Sequence, residues 1–104
     1  MKSLIKITLT AVMLLITFIA SAADPAAGKE KAALCAACHG PNGISLNDLW
    51  PNLAGQKEGY LKKQITAFRD GARNDPSMQP MVANLTDADI DNLAAYFSSL
   101  QTAP

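Results

Sequence analysis

Cys35-Ala36-Ala37-Cys38-His39 sets two thiols three residues apart and puts an imidazole directly after the second. Near a helix end, that spacing lets both sulfurs reach the two vinyl groups on one edge of a porphyrin. It also carries the imidazole under the ring, where a nitrogen can bind iron. C-x-x-C-H is the attachment signature of c-type haem. Other chemistries of the pair fit less well. A redox dithiol of the thioredoxin type wants a βαβ context, and no strand-like alternation is convincing here. Zinc wants four ligands, and two Cys with one His leave the set short. A plain disulfide leaves His39 and the long loops around it without a purpose.

Haem iron has a second axial position. His39 is the only histidine in the chain, so ligation by two histidines of one chain is excluded. A thioether is the natural partner: it is soft, favours ferrous iron and raises the potential. Past the N-terminal region the only methionines are Met78 and Met81, both in the segment before the last helix. That segment can cross the ring face opposite His39. Each methionine has an alternative use as apolar packing.

Three helical segments must hold these groups. The first is read from Pro25 to Cys38, with Asp24 as N-cap and Pro25 at the first helical position. The second runs from Lys57 to Asp70. Tyr60, Leu61, Gln64, Ile65 and Phe68 follow a 3–4 spacing, and Gly71 ends it. The third begins at Thr86, with Asp89 three residues on as a variant capping box, and carries the stripe Ile90, Leu93, Ala94, Phe97 and Leu100. Two long connections, 40–56 and 71–85, are rich in turn formers. Loops of this length in a small domain point to a bound group.

Length and charge agree. The chain has 104 residues and no net formal charge, which excludes a polybasic nucleic-acid binder. Its start reads Lys2, Lys6, an apolar run to Ala20, then Ala20-Ser21-Ala22. A basic stretch, an apolar stretch and a small-x-small site predict a signal peptide over 1–22. The apolar run is shorter than the ~20 residues of a spanning helix and is broken by threonines. Cleavage leaves 82 residues with seven basic and nine acidic side chains. That is close to the size below which, at ~70–80 residues, a core needs a staple. With aromatics at only 6%, a covalent haem would serve as part of the core.

The residues as a whole resemble the class I cytochrome c family, in particular the small bacterial periplasmic members and the single-haem units of two-haem periplasmic cytochromes. The likeness rests on Gly28, Cys35-Ala36-Ala37-Cys38-His39-Gly40, Asn42-Gly43 and Pro51-Asn52-Leu53-Ala54-Gly55-Gln56. It continues through Tyr60-Leu61-Lys62-Lys63-Gln64, the methionine segment, Leu85-Thr86-Asp87 and Leu93-Ala94-Ala95-Tyr96-Phe97. The resemblance implies an all-α cytochrome c fold over 23–104, with three main helices and long loops wrapped around one covalently attached haem c. Cys35 and Cys38 would carry the thioethers and His39 would ligate iron. The Pro51 carbonyl would orient the His39 ring, and Leu53 would pack on the haem. Gly28 would let the first and last helices approach. Of the two methionines, Met78 lies at the family's distance from the last helix, leaving Met81 as the alternative. The implied role is a periplasmic one-electron carrier, not an enzyme. It would exchange electrons with transient redox donors and acceptors of a respiratory or related chain, without nucleic acid and without stable membrane insertion.

Four further side chains have two readings each. Trp50 suits packing or the haem pocket. Arg69 and Arg73 read as solvated surface charges, with haem propionates or partner carboxylates as the alternative. Asn74 reads as a loop former, with donation to the methionine segment or a propionate as the alternative.

Overall fold

The computed structural model describes residues 11–17 and 22–102. Most of the expected signal peptide, residues 1–10 and 18–21, lies outside the described residues. Residues 11–17 carry no regular secondary structure, and no helix among the described residues is long and apolar enough to cross a membrane. From residue 25 onward the described elements are all helical: α1 (Pro25–Lys31), α2 (Ala36–His39), α3 (Glu58–Asp70), α4 (Gln79–Val82) and α5 (Asp87–Ser99).

The first segment departs from one continuous helix. Asp24 accepts from the Ala26 amide and Pro25 opens α1, as the sequence predicts. At Ala32–Leu34 the chain then tightens into a 3₁₀ turn before resuming as α2. Backbone torsions stay right-handed through the junction: Lys31 has φ −64°, ψ −32° and Cys35 has φ −86°, ψ −23°. The path is thus re-aimed rather than broken. Ala32 is buried in the core at this point. The second departure is α4, a single turn inside the expected 71–85 loop. Four residues that include Pro80 carry too little periodicity to be read in advance.

α1 and α5 pack closely against each other, and Gly28 is the reason they can. A Cβ built there would stand 2.0 Å from the Asn92 carbonyl oxygen and 2.9 Å from Tyr96 Cβ. The Asp24 amide donates to Asn92 Oδ1 at 2.8 Å, fastening the start of α1 to the same helix. Gly28→Ala must therefore push one backbone away from another. We expect a loss of about 3 kcal/mol in denaturant unfolding of the holoprotein. A variant as stable as the wild type would show that the crossing can relax.

The core beneath this crossing is small: Ala32, Leu61, Leu93, Ala94 and Phe97, with Leu53, Ile65, Leu85 and Tyr96 packed at its margin. Tyr96 and Phe97 add an aromatic contact with centroids 5.1 Å apart. Three of the apolar-stripe residues of α5 face inward here, and α3 contributes Leu61 and Ile65.

The capping box of α5 is complete. Thr86 Oγ1 accepts from the Asp89 amide at 3.0 Å and Asp89 Oδ2 accepts from the Thr86 amide at 2.9 Å. The Thr86 backbone amide, more than the hydroxyl or Lys31, holds the Asp89 carboxyl below its ordinary value. A group whose native pKa is depressed stabilises the fold above its unfolded pKa and loses that contribution as pH falls through the native value. Thermal stability should therefore decline below about pH 4, the ordinary carboxylate range. Asp89→Asn, which keeps the acceptor but not the charge, should flatten part of that decline. An identical acid profile in wild type and variant would contradict it.

Arg73 is exposed and Arg69 partly buried, and each has partners. Arg69 pairs with Asp70 at 2.9 Å and Asp87 at 2.8 Å, and donates to the Leu85 carbonyl at 3.1 Å, bracing the end of α3 against the start of α5. Arg73 stacks over Phe68, 4.4 Å from the ring centre, and donates to Gln64 Oε1 at 2.8 Å. Neither partnership could be read from residue type, because both depend on how α3 ends.

Candidate functional site

The site is built on the short α2 and the loop that follows it. Cys35 is its N-cap and His39 its last residue, so one helical turn presents both thiols and then the imidazole. Gly40 turns the chain sharply, with φ +85°, a torsion that side-chain-bearing residues avoid. A Cβ at Gly40 would also stand 1.8 Å from the Ile44 carbonyl oxygen. The Gly43 carbonyl then accepts from both the Leu53 and Ala54 amides, at 2.8 and 3.0 Å. This pinch folds residues 44–52 into a closed loop and returns Pro51 to the imidazole.

The decisive contact follows. His39 is buried, and its Nδ1 lies 2.7 Å from the Pro51 carbonyl oxygen. A carbonyl can only accept, so Nδ1 carries the proton and the lone pair is on Nε2. Nε2 has no protein hydrogen bond among the described residues. An imidazole oriented through one nitrogen with the other left as a base is the arrangement of a metal-ligating histidine.

The cysteines differ from a redox dithiol. They are not joined to one another: Cys38 is exposed and Cys35 half-buried. Burial, and then the neighbouring Cys38, push the Cys35 thiol above its ordinary value. Reactive dithiols depend on the opposite shift, toward thiolate.

Apolar side chains beside this turn face outward. Leu46 is 97% exposed, Leu49 85% and Trp50 42%. Leu46 and Trp50 share a shallow cavity of about 90 Å³ with Ala37 and Cys38. Trp50 therefore belongs to the wall beside Cys38 rather than to the core. Residues 44–52 owe their shape to Asn52, whose Oδ1 accepts from the Ser45 amide at 2.7 Å, and to Asn47, which accepts from the Leu49 amide at 2.8 Å. The donor set and this uncovered apolar wall fit a porphyrin: two thiols for its edge, a directed imidazole for its iron and greasy side chains for its faces.

The methionine segment approaches this site. Met78 is half-buried and close to His39, whereas Met81 is 48% exposed. Met78 immediately precedes α4 and Met81 lies within it, so the two sulfurs leave the backbone at different points of one turn. Leu53 sits at the margin of the core cluster alongside Cys35.

A family model for cytochrome c matches residues 25–101. The chain belongs to the cytochrome c family. This cytochrome is 48% identical over 81 residues to cytochrome c-554(548) of Halomonas halodenitrificans, which covers 75% of this chain and 98% of that protein. It is 48% identical over 79 residues to cytochrome c4 of Pseudomonas aeruginosa, covering 76% of this chain and 39% of that one. Among solved structures it resembles the thiosulfate dehydrogenase of Marichromatium purpuratum, with a TM-score of 0.71 and 33% identity over 77% of this chain and 19% of the other. The chain thus spans nearly all of the Halomonas relative and well under half of the other two proteins. As a cytochrome c it uses covalently attached haem c and works by electron transfer. Its helical fold is that of the family.

Proposed function

We propose that this cytochrome is a small exported one-electron carrier, not an enzyme, in which Cys35 and Cys38 form the thioethers and His39 and Met78 are the axial ligands. The hydrogen bond from His39 Nδ1 to the Pro51 carbonyl carries the reading. When bound, haem c supplies an iron that changes by one electron without making or breaking substrate bonds. The chain's own residues do the rest. Pro51 fixes the tautomer and plane of His39, which leaves Nε2 basic. Leu53 packs at the haem margin beside Cys35. Met78 offers a soft donor that favours the ferrous state, and Met81 stays in packing contact.

The N-terminal pattern supports export, with residues 1–22 as the signal peptide, residues 23–104 as the cytochrome domain and the periplasm as destination. The partners are transient redox proteins of a respiratory or related chain. Similarity to two proteins described as thiosulfate dehydrogenase electron acceptors, 39% and 42% identical, supports a thiosulfate dehydrogenase as donor. Such encounters bury little surface, at or below about 1,200 Å². No nucleic acid and no stable membrane insertion of the processed chain belong to this reading. Carbon monoxide added to the native reduced protein tests it: a carrier with both axial positions filled binds slowly and incompletely. Rapid stoichiometric binding would mean an open iron, and so a ligand-binding or catalytic role.

A further inference from the structure

We infer that Asp75 is a positioning residue that aims Met78, rather than Met81, at the iron. This rests on the reading that a methionine of this segment is the sulfur ligand. The Asp75 side chain accepts from the Ser77 amide at 2.8 Å and from the Met78 amide at 3.2 Å. Its own carbonyl accepts from the Met78 amide at 3.2 Å and the Gln79 amide at 3.0 Å. The Met78 amide is thus shared between two oxygens of one residue. The torsions that direct its side chain are set before α4 begins.

The anchor has a fixed base. Two residues earlier, the Arg73 amide donates to the Ala67 carbonyl at 3.0 Å, and the Arg73 side chain lies over Phe68 and bonds Gln64. Pro76 follows Asp75 directly and stiffens the turn. Held at α3 on one side, Asp75 grips the ligand residue on the other. Met81 has no such hold. Its amide makes only the helical bond to the Met78 carbonyl, at 3.0 Å, and its side chain is half exposed. The two methionines differ in restraint as well as in position, and restraint decides which sulfur reaches the iron without an ordering cost.

Asp75→Ala removes Oδ1, and with it both side-chain hydrogen bonds, and leaves the main-chain ones. In the holoprotein, the Met78 sulfur should then release the iron more often. Imidazole added to the ferric protein should bind about tenfold faster or tighter, since one lost hydrogen-bonding group shifts an equilibrium by roughly that factor. The sulfur-to-iron charge-transfer band should weaken in parallel. Asp75→Asn, which retains Oδ1 as acceptor, should restore both to near wild type. Asp75→Glu, which keeps the charge but displaces the oxygen, should behave like Asp75→Ala and serves where the alanine variant does not mature. A purely structural role would lower the melting temperature in Asp75→Ala without moving imidazole binding, and that result overturns the inference. Met78→Ala separates the two levels. If it abolishes the charge-transfer band while Asp75→Ala and Asp75→Glu leave imidazole binding unchanged, only the inference fails. If the band survives Met78→Ala, the ligand assignment fails and the inference goes with it.

Discussion

Met78→Ala is expected to open the iron. The variant should lose the sulfur-to-iron charge-transfer band, bind carbon monoxide rapidly when reduced, and show a midpoint potential far below the wild type. The drop should be a substantial part of the about 0.8 V over which axial ligands tune haem proteins. The cause is chemical: a thioether stabilises the ferrous ion, and water or hydroxide in its place stabilises the ferric ion. Met81→Ala is the matched control. Met81 is 48% exposed and sits one helical turn further on, so its loss should leave the band intact and move the potential little. If the effects of the two substitutions were exchanged, Met81 would be the ligand and Met78 the packing residue.

Replacing both cysteines, Cys35→Ala with Cys38→Ala, should have the largest effect on the protein as a whole. No haem should remain with the polypeptide after denaturing electrophoresis. The cooperative fold should also be lost or severely weakened. The described core holds only five buried residues in its main cluster, two of them alanines, while Leu46 and Leu49 face outward almost entirely. A chain of this size has little stability to spare: a folded domain is held by about 5–15 kcal/mol in total. A covalent macrocycle covering the apolar wall supplies what the side chains do not. Far-ultraviolet circular dichroism with thermal unfolding reads this outcome. A cooperative transition at the wild-type temperature would mean that the polypeptide core suffices alone.

Much of the fold could be read from the sequence because its cues are local. Asp24-Pro25, Thr86 with Asp89, and Gly71 are capping and stop signals whose effect is complete within one turn, and each stands where it was expected. The 3–4 spacing over α5, and over Leu61, Ile65 and Phe68 of α3, marks which faces turn inward, but Tyr60 of the same pattern is 50% exposed. The 3₁₀ junction at Ala32–Leu34 is not legible, since a run of alanines favours helix without saying which helical form the packing of Ala32 will select. The turn α4 is too short to show a period.

The site divides in the same way. Cys35, Cys38 and His39 announce their chemistry by spacing alone. The Pro51 contact spans twelve residues and closes only because Gly40 and the Gly43 carbonyl fold the loop back. The resemblance to the family anticipated it, but residue types alone could not. Asp75 was missed, although the Asp-Pro dipeptide is a recognised turn initiator. Its four amide contacts depend on where the Met78 backbone lands. Arg73 is exposed, as a solvated charge should be, and Arg69 is partly buried; what residue type does not show is their partners Asp87, Leu85 and Phe68, which meet them only once α3 has ended and the chain has turned.

One determination bears most directly on the haem. The protein matured in an exporting bacterial host should be measured by intact mass, and its pyridine haemochrome spectrum should be recorded on the same sample. A mass equal to the polypeptide from residue 23 plus one haem, with the spectrum of a haem joined through two thioethers, is the expected result. A colourless product with the mass of the bare polypeptide would contradict the assignment of Cys35, Cys38 and His39.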